Sequence, residues 1–212
     1  MQLPFSHDAF LDVFGAYNSQ LWPVAVLLWV ATISMVWAWL HGGVSRRLVF
    51  IVLAVHWAWS GIAYHWLFFR SINPAATIFA ALFLLQAVLF VWLGVAAAGR
   101  ATIPAGVRGA VGGALILYGL IYPFAGLAFG LEYPRLPLFA VPCPTTLVTA
   151  GFLVGVVRVP RLVAVVPILW AAVGSSAAFA LGIKADLALV IAGTVLTFDL
   201  VVPTALGRRA AA

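Results

Sequence analysis

Seven stretches of about twenty residues, each nearly free of charge, follow one another along this chain, and they leave it few ways to fold. They run about from Leu21 to Leu40, Leu48 to Phe69, Ala75 to Ala97, Val107 to Phe129, Leu138 to Val157, Leu162 to Leu181 and Leu187 to Leu206. A helix needs roughly 20 apolar residues to cross about 30 Å of hydrocarbon, so each stretch has the length of one crossing. Helices also satisfy their own backbone hydrogen bonds, which lipid cannot do for them. The expected fold class is therefore all-α, a polytopic membrane bundle of seven transmembrane helices. The fifth stretch is the weakest, because Pro142 and Pro144 leave only about fourteen residues of uninterrupted helix before Arg158. Six or eight crossings are the alternatives.

Composition agrees. With 66% hydrophobic and 8% charged residues, the chain is far from the roughly half-apolar, quarter-charged balance of a soluble domain. An outer-membrane barrel is disfavoured, since its strands would alternate apolar and polar positions and these runs are continuous. The expected location is the inner, cytoplasmic membrane.

Orientation follows from the basic residues, because positive loops stay in the cytoplasm. One set of loops holds Arg46, Arg47, Arg100, Arg108, Arg158, Arg161, Arg208 and Arg209, with no acidic residue. The other holds Arg70, Arg135 and Lys184 together with Asp8, Asp12, Glu132 and Asp186, leaving Asp199 inside a span. The N-terminus is thus expected outside and the C-terminus in the cytoplasm. The net charge of +6 reflects topology; the basic residues are too dispersed for a nucleic-acid surface.

Residues 1–20 read as an outer interfacial helix, residues 21–206 as the seven-helix domain and residues 207–212 as a short cytoplasmic tail. Phe10, Val13, Phe14 and Tyr17 fall at i, i+3, i+4 and i+7, with Ser6 as N-cap. Asp8 and Asp12 stand where a signal peptide would carry positive charge.

A faint repeat relates the two halves. Sliding the second span onto the sixth places Trp57 on Trp170, Gly61 on Gly174 and Asn73 on Asp186; Pro23 and Pro144 sit near the starts of the first and fifth spans. Such a repeat implies a 3+1+3 plan, which some transporters use with the substrate between the halves.

Two stretches hold the candidate site. In HWAWSGIAYHWLFF, from His56 to Phe69, a regular helix stacks His56, Ser60 and Tyr64 on one face and puts His65 on the opposite one. Polar groups at that depth face a partner or a cavity, and Gln86 is at the right depth to partner His56. A mid-span histidine can relay protons or bind a ligand, although a structural hydrogen bond is the commoner use. The second stretch is EYPRLPLFAVPCPTT, from Glu132 to Thr146. Its four prolines forbid helix while Leu136 to Val141 is too apolar for water, so the segment should dip into the bundle.

A helix starting at about Pro144 would then offer the N–H groups of Thr145 and Thr146 to an anion or dipole. Cys143, the single cysteine, excludes an internal disulfide. At a helix cap its thiol is activated as a nucleophile or soft-metal ligand, with His65 as the metal partner on that side; the bland alternative is packing. Tyr64, Asn73, Glu132 and Arg135 belong to the same outer side.

The strings AFLDVFGAYN, HWAWSGIAYH, FFRSINPAA, YPRLPLFAVPCPTTLVTAG and LGIKADLALVIAG resemble an uncharacterised family of bacterial multi-span membrane proteins, a domain of unknown function. The resemblance implies a compact multi-span protein and brings no activity or catalytic residues.

Several classes are set aside. There is no Walker loop, Cys-x-x-Cys, His-Glu-x-x-His or Gly-x-Ser-x-Gly motif. The last span has neither the lysine of a retinal protein nor the histidines of a seven-helix zinc hydrolase. The leading expectation is transport or binding of a small solute between the helices, at a site open to the outer face. A membrane-embedded metal, redox or thiol-dependent enzyme using Cys143 and His65 is the alternative, and an accessory subunit the third reading. The partners expected are the bilayer, a small solute, and further copies or subunits within the membrane. No cofactor is specified by the sequence.

Overall fold

The structure, a computed structural model, describes residues 4–102, 106–155 and 159–201. The described chain is all-helical apart from one minimal ladder. Its helices are α1 (His7–Leu40), α2 (Arg46–Trp59), α3 (Ala76–Ala96), α4 (Val107–Ala128), α5 (Pro142–Gly155), α6 (Val165–Leu181) and α7 (Ala188–Val201). Helix α2 runs on as a π-helix over Ser60–Phe68 and a 3-10 turn over Phe69–Ser71. Further 3-10 turns cover Arg161–Ala164 and Lys184–Leu187. Five helices are long and apolar enough to cross a bilayer: α1, α2 with its extension, α3, α4, and α6 with the turn before it. This is the architecture of a membrane protein.

One end of the bundle carries β1 (Val44–Ser45) and β2 (Arg100–Ala101), paired antiparallel, and the arginines beside them. Arg47 donates to the carbonyls of Gly94 and Val95 at the end of α3. Asp199 near the end of α7 pairs with Arg108 at 2.5 Å, at the start of α4. The expected positions Arg158, Arg208 and Arg209, the tail and the end of the seventh span lie outside the described residues.

Helix α1 departs from expectation. Ser6 does cap it, accepting from the N–H of Ala9 at 3.2 Å, yet no break separates residues 1–20 from the first span. The helix continues through Pro23 to Leu40, a length of about 50 Å at 1.5 Å per residue. No run of breakers stands between Asn18 and Leu28, and one proline removes one hydrogen bond, which a membrane helix tolerates. The face of Phe10, Phe14 and Tyr17 is buried against the protein. Asn18 fixes it there, donating to the carbonyls of Pro134 at 2.6 Å and Leu136 at 2.7 Å.

Helix α5 is the hub of the fold. All its residues but Cys143 are buried, by α4, α7, α6 and α2. Against α4 the contact is backbone on backbone: a Cβ built on Gly112 would lie 2.6 Å from the Cα of Gly155, and one on Gly151 2.6 Å from the carbonyl oxygen of Gly112. Gly151 and Gly155 form the small-xxx-small pattern that lets membrane helices approach this closely. Toward α2 the seam is polar. The indole N–H of Trp57 donates to Thr149 Oγ1 at 2.8 Å. Ser60 donates to the Ala140 carbonyl and meets the hydroxyl of Thr145, both at 3.2 Å. Leu136, Phe139, Ala140 and Val141, ahead of α5, are non-helical and buried.

Candidate functional site

The π-helix decides what α2 presents to the interior. Its wider i→i+5 turns advance each residue by a smaller angle than an α-helix does, so Tyr64 and His65, neighbours in sequence, are both buried. The expectation that His65 sits on the face opposite His56 assumed a regular α-helix, which the π-segment replaces; both histidines are buried. The His56, Ser60 and Tyr64 face does point inward.

At the end of the bundle away from the β ladder, the π-segment, the start of α3, the start of α5, α6 and the Lys184–Leu187 turn surround a cavity of about 140 Å³, which the N-terminal part of α1 closes. An engineered apolar cavity of about 150 Å³ admits benzene, so this one has room for a solute of that size. Its walls carry the rings of Phe5, Phe10, Phe14, Tyr64, Phe69, Phe79 and Trp170. Its polar groups include Tyr64, Asn73, Cys143 and Asp186. Val173 and Ser176, which are exposed, mark the side on which it opens.

Asp186 is the chemical centre of this cavity, and only 5% of it is exposed. The α6 helix ends at Gly182 in the left-handed conformation, and the turn that follows is closed by the N–H of Asp186 on the carbonyl of Ile183. Tyr118 and Tyr122, one turn apart on α4, hold that turn: Tyr118 donates to the Ala185 carbonyl at 2.9 Å, and the hydroxyl of Tyr122 donates to Asp186 Oδ1. The Cys143 side chain lines the same cavity. Burial raises the Asp186 pKa to about 6, while the bond from Tyr122 pulls it back down. Among the described residues no cationic side chain pairs with Asp186.

The sequence of residues 7–211 matches the pattern of a family described as a family of unknown function, DUF6064. The chain belongs to this family. No curated protein and no solved structure matches the chain. The family assigns no chemistry, so the site is read from geometry alone.

Of the expected site residues, the structure brings Tyr64, Asn73 and Cys143 to the cavity and disperses the rest. His56 bonds Thr32 of α1 through Nε2 at 2.8 Å, and the Thr32 hydroxyl donates a hydrogen bond to the Leu28 carbonyl at 2.9 Å. Gln86 is not the partner of His56; it donates to the Val163 carbonyl at 3.1 Å, at the opposite end of the bundle. Ser60 and Thr145 bond each other in the seam described above. Glu132 is exposed. Arg135 serves as a tie to α1, pairing with Asp12 at 2.8 Å and Asp8 at 3.2 Å.

The anion site expected at the start of α5 is corrected as well. The helix begins at Pro142, not Pro144, which places Cys143 inside the first turn instead of at the cap. Two of its first three residues are prolines without an N–H. The N–H of Thr145 is taken by the Val141 carbonyl at 3.2 Å, and Thr146 turns its hydroxyl onto the Pro142 carbonyl.

His65 and Cys143 do not share the cavity. His65 lies within a sheath of Phe79, Phe83 and Trp170, and neither ring nitrogen has a hydrogen-bond partner among the described residues. No cluster of three or more His, Cys, Asp or Glu side chains suited to a metal occurs among the described residues. Asp186, Tyr122 and Trp170 are the site residues that sequence reasoning did not find. The signal available was Tyr118 and Tyr122 at i, i+4, two polar tips on one face of an apolar span.

Proposed function

We propose that this is a multi-pass inner-membrane protein that binds, and as a transporter moves, a small solute through the cavity at Asp186. The observation that carries the reading is convergence. Tyr64, Asn73, Cys143 and Asp186 come from four separate elements to one concave, largely aromatic space, the arrangement expected of a ligand site. The chain crosses the bilayer seven times in this reading, with the N-terminus outside and the C-terminus in the cytoplasm. Two crossings, α5 and α7, have only 14 described helical residues each. Enclosure by neighbouring helices supports a short α5, since irregular backbone is tolerated at membrane depth where protein covers it.

The 3+1+3 repeat belongs to the same proposal. Asn73 lies shortly before α3 and Asp186 shortly before α7; Trp57 and Trp170 both pack on Phe83. The test is a thermal-shift panel of small amines, acids, alcohols and neutral amides on the detergent-purified protein and on Ala177→Trp, which fills the cavity. The expected result is stabilisation of the wild type by one class of solute and loss of that response in the variant. Equal responses in both would place binding elsewhere and overturn the reading.

Thiol chemistry at Cys143 is the second reading, resting on the position of its side chain in the cavity wall. It requires Cys143→Ser to abolish turnover while leaving reversible solute binding in place.

A further inference from the structure

We infer that the solute taken by the cavity is a small organic cation, an ammonium group of roughly choline size, seated between the Asp186 carboxylate and the surrounding aromatic rings. The inference rests on the proposed solute-binding reading and adds the ligand's charge and size.

Three observations select this chemistry. First, among the described residues the lining contains an acidic side chain and no Lys, Arg or His. An anionic solute would meet Asp186 without compensation. Second, a carboxylate has about four lone-pair sites, and Tyr122 supplies one side-chain donor. That donor steadies the group in place, and capacity remains for a ligand N–H or for the field of a quaternary ammonium. A buried carboxylate with no cation beside it is costly, and a cationic guest removes that cost.

Third, the apolar part of the lining is mainly aromatic. Rings attract cations through their negative faces, Trp most strongly, and such cages are a recurrent solution for quaternary ammonium groups. Tyr64 of the π-segment and Trp170 of α6 both line the cavity with Asp186. The volume of about 140 Å³ sets the upper size, since a guest much larger than benzene does not fit without movement of α1.

The experiment compares choline with its neutral carbon isostere, in which a quaternary carbon replaces the nitrogen, by calorimetric titration of the full chain in detergent. Choline should bind and the isostere should bind at least about 30-fold more weakly, the loss expected when one partner of a buried charge pair is removed. Asp186→Asn should weaken choline by a similar factor, and Ala177→Trp should abolish binding. The probe pair decides the question even where Asp186→Asn fails to fold.

If the isostere binds as well as choline and Ala177→Trp abolishes both, the cation inference fails while the cavity remains a solute site. Choline binding that survives Ala177→Trp contradicts the inference and the site together. No binding of choline to the wild type overturns the inference, and the wider solute panel then judges the cavity separately.

Discussion

The α2–α3 and α6–α7 helix pairs carry Trp and Gly at equal spacing, Trp57 with Gly61 and Trp170 with Gly174, and use them differently. In α2 the indole N–H of Trp57 is satisfied by Thr149. In α6 the N–H of Trp170 finds no oxygen acceptor among the described residues and is left beside the Cys143 sulfur. Gly61 lets α3 approach to backbone distance, its virtual Cβ 3.2 Å from the Ala80 carbonyl oxygen. At Gly174 the nearest atom to an added Cβ is the end of the Leu189 side chain, at 2.6 Å, with Trp170 Nε1 at 3.6 Å and Cys143 Sγ at 3.9 Å. Asn73 turns inward on its own loop, accepting from the N–H of Ala75 at 3.1 Å, whereas Asp186 is held by a tyrosine of another helix. The indole of the first pair is sealed by a hydrogen bond and that of the second is left at the cavity, which Asn73 and Asp186 both reach.

That contrast breaks most visibly with pH. The folded chain keeps the Asp186 proton up to a pH of about 6, whereas the ordinary value is 3.8. Between those values the folded state holds a proton that the unfolded state has lost. Stability contributed by the protonated group is therefore full below about pH 4 and falls as pH rises through about 6, by an amount on the order of 3 kcal/mol. Thermal unfolding from pH 4 upward should show this fall in the wild type and lack it in Asp186→Asn. An unchanged slope in the variant assigns the titration to another group.

The glycines sharpen the comparison next. A methyl on Gly61 meets Phe83 Cβ at 3.1 Å and the Ala80 carbonyl oxygen, both fixed to the α3 backbone. Gly61→Ala is expected to cost about 1–3 kcal/mol, the usual range for overpacking. Gly174→Ala should cost less, because the terminal methyl of Leu189 can swing aside. Unfolding midpoints of the two variants, measured side by side, give the order directly.

The smallest difference is expected at the tryptophans. Trp57→Phe loses a buried hydrogen bond and leaves the Thr149 hydroxyl without it, an expected cost of about 1–3 kcal/mol. Trp170→Phe breaks no bond to oxygen and should cost less. Its signature is instead weaker solute binding.

Much of this architecture was legible in the chain. The apolar runs located α3 and α4 to within a residue or two, because charge and helix length are local quantities that a bilayer enforces. The buried, non-helical segment ahead of α5 was legible because four prolines and an apolar run have few reconciliations. Three features were not. The π-helix depends on how α2 is packed, and it turned both Tyr64 and His65 inward. Helix α1 gave no local sign that it would lie along the bundle, since an amphipathic face reads alike whether lipid or protein covers it. Asp186 looked like a loop carboxylate in water; its burial depends on Tyr122, far away in sequence, reaching across from α4.

The central claim is that a cavity large enough for a solute, and reachable by one, lies at Asp186. Cys143 is the only cysteine of the chain and lines that cavity, so its labelling in the native, detergent-purified protein is the most direct measurement. A small neutral methanethiosulfonate should modify one thiol per chain, and Ala177→Trp should slow the reaction at least about tenfold, a barrier difference of about 1.4 kcal/mol. A thiol that reacts only after denaturation, or at the same rate in the filled variant, contradicts the account.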